Sequence, residues 1–316
     1  MHGELELIRL IAARAGMRGG VSVGIGDDAA VLDDGTVLAL DMVVDGVHVS
    51  RATHSPADIG HTALAVNLSD VAAMGATPIA AMVGLGVPDD LSADDVDQMY
   101  RAMDALAEEH SMSVVGGDVS ASPVLSLSVA ICGRAGDGVR PVLRSGARSG
   151  DLLVVSGPLG ASAAGLALLR DPSIAAGIAH AEALTQAHRR PIPLVDDGLH
   201  LAEAGASAML DISDGLLLDA DRMARASGLR AEIDLGAVPR AGGVDDVAAV
   251  IGMPSDLFAA TGGEDYQLLA AMPPGTGLEP HVTVIGRMTD GAPGVSAQRN
   301  GVDVTPARLG WEHGGA

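Results

Sequence analysis

Lysine is absent from this 316-residue chain, and all 19 basic residues are arginine. A phosphate-binding loop of the Gly-Lys-Ser/Thr type is thereby excluded, because its lysine must reach the β- and γ-phosphates. A nucleoside triphosphate handled here has to be neutralised by metal ions and arginines. Cysteine is nearly absent. Cys132 stands alone, which excludes a disulfide framework and a cysteine-rich zinc site. Aromatics are just as scarce: Tyr100, Phe258, Tyr266 and Trp311 are the whole set. Ala, Val, Leu and Met must therefore fill the core, and such small side chains favour close backbone packing. No stretch reaches the ~18 uninterrupted apolar residues of a transmembrane helix. Met1-His2-Gly3-Glu4 lacks the basic start and apolar run of a secretory signal. A cytoplasmic protein without a membrane partner is expected. Positive charge is also short, since 41 acidic residues give a net charge of −22. DNA or RNA would be repelled, so no nucleic-acid partner is expected.

What the chain has in excess is aspartate beside glycine or small polar residues. Of the acids, 31 are Asp and 10 are Glu. Five clusters recur: Gly24-Ile25-Gly26-Asp27-Asp28, Asn67-Leu68-Ser69-Asp70, Gly116-Gly117-Asp118, Asp211-Ile212-Ser213-Asp214-Gly215 and Gly262-Gly263-Glu264-Asp265. Carboxylate oxygens bind Mg²⁺, which typically combines one or two of them with substrate phosphates. Glycine lets the backbone come close to a ligand.

The length has room for two domains. Periodicity predicts helices over 5–15, 58–74, 92–109, 160–169, 178–188 and 214–227. It predicts strands over 36–40, 78–87, 112–115, 124–132, 152–156, 208–210, 231–235, 266–271 and 282–286. The Gly/Arg/Ser-rich stretch 134–151 reads as a junction between an N-terminal domain over 1–138 and a C-terminal domain over 139–316. The mixed order predicts an α+β fold of two α/β-layer domains.

Asp70 carries the sharpest individual signal. It sits among Ala, Leu, Val and Met in 63–74, and a buried unpaired carboxylate costs several kcal/mol. Asn67 shares its face at i, i+3, so this face meets an arginine or a cation. Asp41 lies where an apolar strand meets a loop. Asp28 follows a Gly-Ile-Gly turn and is a ligand or a solvated turn residue. Asp118 is expected to end one strand and Asp211 another. Ser213-Asp214-Gly215 opens a helix. Its free N–H groups suit a phosphate, and Ser213 or Asp214 suits the N-cap. Arg144 is a surface arginine by default and a phosphate clamp in a lysine-free phosphate enzyme. His48 alone reads as a hydrogen-bonded histidine. Glu264 is a polar turn residue or the holder of a cationic ligand. Trp311, the sole tryptophan, is a packing anchor or a stacking surface for a flat cation.

Taken in this order, the motifs resemble the thiamine-monophosphate kinases, of the superfamily shared with aminoimidazole ribonucleotide synthetase. The resemblance runs from about Gly24 to Trp311. It rests on Gly-Ile-Gly-Asp-Asp, Asp41 with Gly46-Val47-His48, the segment Ala63 to Asp70 with Ala72-Ala73-Met74-Gly75-Ala76, Gly-Gly-Asp, Ser-Asp-Gly-Leu and Gly-Gly-Glu-Asp-Tyr. It implies ATP-dependent phosphorylation of thiamine monophosphate to thiamine diphosphate, by direct in-line transfer with several Mg²⁺ ions and no protein nucleophile. It implies metal ligands at Asp28, Asp41, Asp70, Asp118, Asp211 and Asp214. It implies nucleotide contacts at Tyr100, Gly117, Asp118, Arg144 and Ser213, and a thiamine end at His48, Glu264 and Trp311. It further implies a homodimer whose N-terminal sheets pair into a barrel. Ala39 and Leu40 stand where the family often has a Ser/Thr pair, leaving only backbone carbonyls there. The runner-up, an aminoimidazole ribonucleotide synthetase, would need a phosphoribosyl site. Gly-Gly-Glu-Asp-Tyr and Trp311 favour thiamine instead.

Overall fold

In the N-terminal half, one face of a sheet is apolar and a long apolar helix covers it. The computed structural model describes residues 4–136, 140–175 and 177–311. The first elements are α1 (Glu4–Arg14), β1 (Val21–Val23), β2 (Ala30–Leu32), β3 (Thr36–Val44), α2 (Pro56–Ala73), β4 (Thr77–Val87), α3 (Ala93–Glu109), β5 (Ser113–Ala121) and β6 (Ser126–Arg134). The six strands form one sheet in the order β1-β2-β3-β6-β4-β5. Only β4 and β5 run parallel, with α3 as their crossover. Alternation sends Val37, Ala39 and Val43 of β3, with Leu127, Val129 and Ile131 of β6, into the core. On the opposite face Leu38, Leu40, Met42 and Met82 are exposed, as are Val115 and Val119 of β5.

Ser55 starts α2 through a capping box with Asp58, and Pro56 opens its first turn. The helix buries Ile59, Leu64, Val66, Leu68 and Val71, among others. Each fully buried aliphatic side chain contributes roughly 1.5–3 kcal/mol. Gly60 shows how tightly α3 lies against it, since a Cβ there would stand 2.2 Å from the Met99 carbonyl oxygen. This is the close approach that the small-residue composition predicts.

The second half contains β7 (Leu152–Val155), α4 (Ala161–Arg170), α5 (Ala181–Arg189), α6 (Val195–Glu203), β8 (Ala208–Asp211), α7 (Leu216–Ser227), β9 (Arg230–Asp234), α8 (Val244–Ile251), α9 (Ser255–Thr261), β10 (Leu268–Met272), β11 (Thr283–Thr289), β12 (Gly294–Arg299) and β13 (Val302–Asp303). Its seven strands form a separate sheet, ordered β13-β12-β9-β11-β7-β10-β8. The period of two divides its central strands between two cores. Val154, Met209, Ala270 and Met272 join the core around α2. Leu153, Leu210, Leu269 and Ala271 join the core with Leu216, Leu217 and Met223 of α7. The α2 helix is thus packed between the two sheets, which is why it is apolar almost all round. Among the described residues no helix is long and apolar enough to cross a membrane.

Several expectations need correction. The strand expected to stop at Gly116-Gly117-Asp118 continues to Ala121. An irregularity in register at Ala81/Met82 carries it on, and Gly117 leaves room for the Val83 carbonyl, 1.8 Å from where a Cβ would lie. Asp41 lies inside β3 rather than at its end. The α7 helix starts at Leu216, and no side chain caps it from Gly215. The elements α6, α8, α9, β1, β2, β12 and β13 were not foreseen. The expected boundary at 138/139 lies outside the described residues.

Candidate active site

The buried end of α2, the C-terminal end of β8 and the loop between β1 and β2 meet in one place. There one oxygen from each of Asp28, Asp70 and Asp211 lies within 4.8 Å of the other two. Fixed protein contacts hold the group. Ser69 donates its hydroxyl to Asp211 Oδ2 at 2.6 Å. Asn67 accepts the Asp41 amide at 2.9 Å and donates to the Ala63 carbonyl at 2.9 Å. The Arg144 guanidinium donates to Asp28 Oδ1, with Nε at 3.0 Å. Asp27 accepts the Arg144 backbone N–H at 3.1 Å and the Asp28 N–H at 3.1 Å. The face carrying Asp70 therefore meets carboxylates from two other segments, with one arginine beside them.

The electrostatics are those of crowded acids. Burial pushes Asp70 well above the ordinary carboxylate range, and Asp41, Asp211 and Asp28 push it further. Asp211 rises for the same first reason, then because of Asp28, while the Ser69 hydroxyl works the other way. Asp41 is also raised, by desolvation and then by Asp28 and Asp214. Asp41 is exposed, so solvent screening tempers that rise. Desolvation pulls the Arg144 guanidinium down, and Asp28, Asp211 and Asp27 more than reverse it. One oxygen, Asp28 Oδ2, is buried without a hydrogen-bond partner. A buried acceptor left unpaired is costly. Hard oxygen donors converging beside an unpaired carboxylate oxygen fit a divalent cation such as Mg²⁺.

A second hub is the loop 213–215. The Ser213 carbonyl accepts the Glu264 N–H at 2.7 Å, and the Asp214 carbonyl accepts the Trp311 N–H at 2.9 Å. Residues far apart in sequence thus flank one loop. Trp311 is half exposed and faces the Arg308 guanidinium at 5.5 Å. Two of the N–H groups expected to be free here, just ahead of the first turn of α7, are taken. Asp219 Oδ2 accepts from Asp214 N and Gly215 N, both at 3.1 Å. Arg222 bridges Asp214 and Asp219, each at 2.6 Å. Burial pushes the Asp219 carboxyl up to about 7, against the pull of Arg222. Asp219 was missed, since a carboxylate inside a helix turn looks like a surface acid in sequence, and Asp27 was read only as part of the Gly-Ile-Gly turn, without its bond to Arg144.

The remaining candidates are more dispersed. His48 closes the turn after β3, its Nδ1 accepting from Val44 N at 3.1 Å. Tyr100 on α3 is partly buried against the core around α2. Gly117 and Asp118 lie on the exposed edge strand β5, where Ser120 donates to Asp118 at 3.3 Å. Among the described residues no contact joins Asp118 to the Asp28–Asp70–Asp211 group.

Two family models match the chain: AIR synthase related protein, N-terminal domain, over residues 26–135, and AIR synthase related protein, C-terminal domain, over residues 148–297. The fold is thus that of the AIR synthase related class. Within it, the chain is 36% identical over 273 residues to the thiamine-monophosphate kinase of Corynebacterium glutamicum, spanning 85% of this chain and 81% of that one. It is 36% identical over 323 residues to the thiamine-monophosphate kinase of Aquifex aeolicus, spanning 98% of each. Its structure aligns with that of AaThiL complexed with AMPPCP and TMP at a TM-score of 0.86 and 35% identity, covering 98% of this chain and 97% of the other. The chain belongs to the thiamine-monophosphate kinase family.

Proposed function

We propose that the protein transfers the γ-phosphoryl group of ATP to the phosphate of thiamine monophosphate, giving thiamine diphosphate and ADP. The observation that carries this reading is the convergence of Asp28, Asp70 and Asp211 around an unpaired buried oxygen. Family membership supplies the substrates, and the donor set supplies the chemistry. A phosphate attacking a triphosphate brings two polyanions together, so positive charge must be supplied where they meet. Asp28, Asp70 and Asp211 would hold Mg²⁺, with Asp41 and Asp214 at the margin and Asp118 a further ligand. When bound, Mg²⁺ offsets the charge on the transferred phosphoryl oxygens.

The chain's own residues position the reactants. Arg144, whose Nε and Nη2 hold Asp28, stays charged and offers its remaining N–H donors to the triphosphate. Asp27 holds the Arg144 backbone, and Ser69 orients Asp211. Ser213, Gly117 and Tyr100 complete the nucleotide contacts in this reading. Glu264 and Trp311 flank the 213–215 loop and suit a thiazolium cation through charge and stacking, with His48 at the same end. No protein nucleophile is needed, because phosphoryl transfer rests on positioning and electrostatics. The protein is further read as two domains joined through 134–151. It is also read as a homodimer through the exposed apolar face of Leu38, Leu40, Met42 and Met82, since such a face on a sheet marks an interaction surface. The test is incubation with ATP and thiamine monophosphate, with and without Mg²⁺. Thiamine diphosphate and ADP in equal amounts, only with the metal, support the reading. ATP binding without product contradicts it.

A further inference from the structure

A buried polar cluster lies away from the carboxylate group, where α4, α5, the 262–266 loop and the segment before α2 meet. His188, near the end of α5, is only 7% exposed. Its Nδ1 lies 3.0 Å from Ser162 Oγ and 3.4 Å from Glu264 Oε2. Its ring meets the ring of His54 edge to face, with centroids 5.3 Å apart and planes at 68°. His54 is itself 5% exposed and lies 3.0 Å from Thr53 Oγ1 through Nδ1. It immediately precedes Ser55, the cap of α2, and shares the 45–55 loop with His48.

We propose that His188 is a positioning residue for thiamine-phosphate recognition: it fixes the Glu264 carboxylate through Nδ1 and ties that end of the site, through His54, to the loop that carries His48. The proposal rests on the reading of Glu264 as a substrate contact.

The backbone around Glu264 shows that its direction is imposed. Glu264 has φ of 63° and Tyr266 has φ of 50°, both in the left-handed region that non-glycine residues rarely adopt. Such conformations cost about 1–3 kcal/mol each and persist only where surrounding contacts over-determine them. Those contacts are present. Glu264 N donates to the Ser213 carbonyl and Tyr266 N to the Ile212 carbonyl. Gly263 lets the chain pass, since a Cβ would stand 2.6 Å from the Ser213 oxygen. Asp265 turns the other way and accepts from Gly160 N at 2.7 Å and Ser162 N at 3.1 Å, at the start of α4. One short loop thus sends Asp265 to the helix start and Glu264 to the histidine.

The choice of histidine has a chemical consequence. Burial, then His54, Arg170 and Arg189, push the His188 imidazole down to about 4. The ring is neutral at physiological pH, and in the tautomer with its proton on Nδ1 it is a donor without charge that Ser162 Oγ at 3.0 Å and Glu264 Oε2 at 3.4 Å share. A lysine or arginine in its place would orient Glu264 and also cancel its charge. Burial pushes the Glu264 carboxyl itself up to about 7, and a neutral donor orients it without cancelling the negative charge that a bound cation would favour. The Glu264 side chain is 36% exposed, so the carboxyl is within reach of such a ligand.

The test is steady-state kinetics with ATP and thiamine monophosphate on His188→Ala, His188→Asn, Glu264→Gln and the double variant His188→Ala/Glu264→Gln, each checked by thermal melting. His188→Ala is expected to raise KM for thiamine monophosphate about tenfold, the scale of losing one close polar contact to a substrate-binding carboxyl. It should leave KM for ATP within about twofold. His188→Asn, whose amide N–H replaces the ring N–H, should recover most of the affinity and also serves if the alanine variant fails to fold. The double variant should be no worse than Glu264→Gln alone, because His188 acts through that carboxylate. Multiplied effects in the double variant, or equal rises in both KM values, would overturn the proposal and leave His188 a packing residue. A strong Glu264→Gln effect with a silent His188→Ala would overturn it alone. A silent Glu264→Gln would overturn the substrate assignment of Glu264 and the proposal with it.

Discussion

Replacing Asp70 by asparagine should make the metal-free protein more stable and the enzyme inactive. The wild-type side chain faces Asp28 and Asp211, with oxygens within 4.8 Å. At an effective dielectric of about 20, two unit charges at that distance repel by about 3 kcal/mol. Asp70 meets two such partners, and Arg144 offsets part of the repulsion. Partial protonation of the crowded carboxyl relieves more. The net gain expected from Asp70→Asn without metal is therefore about 1–3 kcal/mol, or a rise of a few degrees in Tm. With Mg²⁺ the order reverses. A ligand at 100 times its Kd stabilises the wild type by about 2.7 kcal/mol, and the variant should lose most of that shift. Turnover should fall by at least ~10²–10³-fold, the scale for losing one preorganised charge-stabilising contact. The assay is thermal melting in EDTA and across an MgCl₂ titration, alongside product formation. A variant that melts below wild type in EDTA and gains an undiminished Mg²⁺ shift refutes the reasoning.

Ser69→Ala should weaken Mg²⁺ affinity or turnover about 10- to 100-fold, as losses of outer contacts to metal ligands do. An unchanged metal titration would show that the Ser69–Asp211 bond orients nothing. Trp311→Ala should cost under ~1 kcal/mol of stability, since the ring is half exposed, and should raise KM for thiamine monophosphate more than KM for ATP. Equal effects on both would make Trp311 a packing anchor. Burial pushes Asp265 up to about 7 from its ordinary 3.8. The folded state therefore binds more protons than the unfolded state between those values. The stability of wild type relative to Asp265→Asn should fall from pH 4 to 7, by at most about 1.4 kcal/mol per pH unit. Denaturant unfolding at pH 5 and 7.5 checks the sign, and a rise would refute it. Leu40→Asp and Met42→Asp should yield a monomer by light scattering. Retention of a dimer would place the interface elsewhere.

The long, strongly patterned elements were legible in the sequence. The apolar residues all round 58–74 mark α2, though not its Ser55 cap, and Leu125, Leu127, Val129 and Ile131 alternate so plainly that β6 could be placed. The Gly116-Gly117 pair reads locally as a stop, yet pairing with β4 draws the strand onward. Segments such as α8, α9 and β12 are short, and their apolar residues follow no sustained period. In the site, the acid residues and Arg144 announced themselves, but which of them pair did not. Arg144 lies 116 positions from Asp28, and nothing local marks the pairing. Asp219 and His188 each resemble ordinary helix residues until the chain folds them against Asp214 and Glu264.

The most direct test is rapid-quench chemistry with γ-labelled ATP, Mg²⁺ and thiamine monophosphate. The account predicts that label leaves ATP and enters thiamine diphosphate at one rate, with none on the protein, and that Asp70→Asn transfers none. Label accumulating on the protein, or released as free phosphate without thiamine diphosphate, would contradict it.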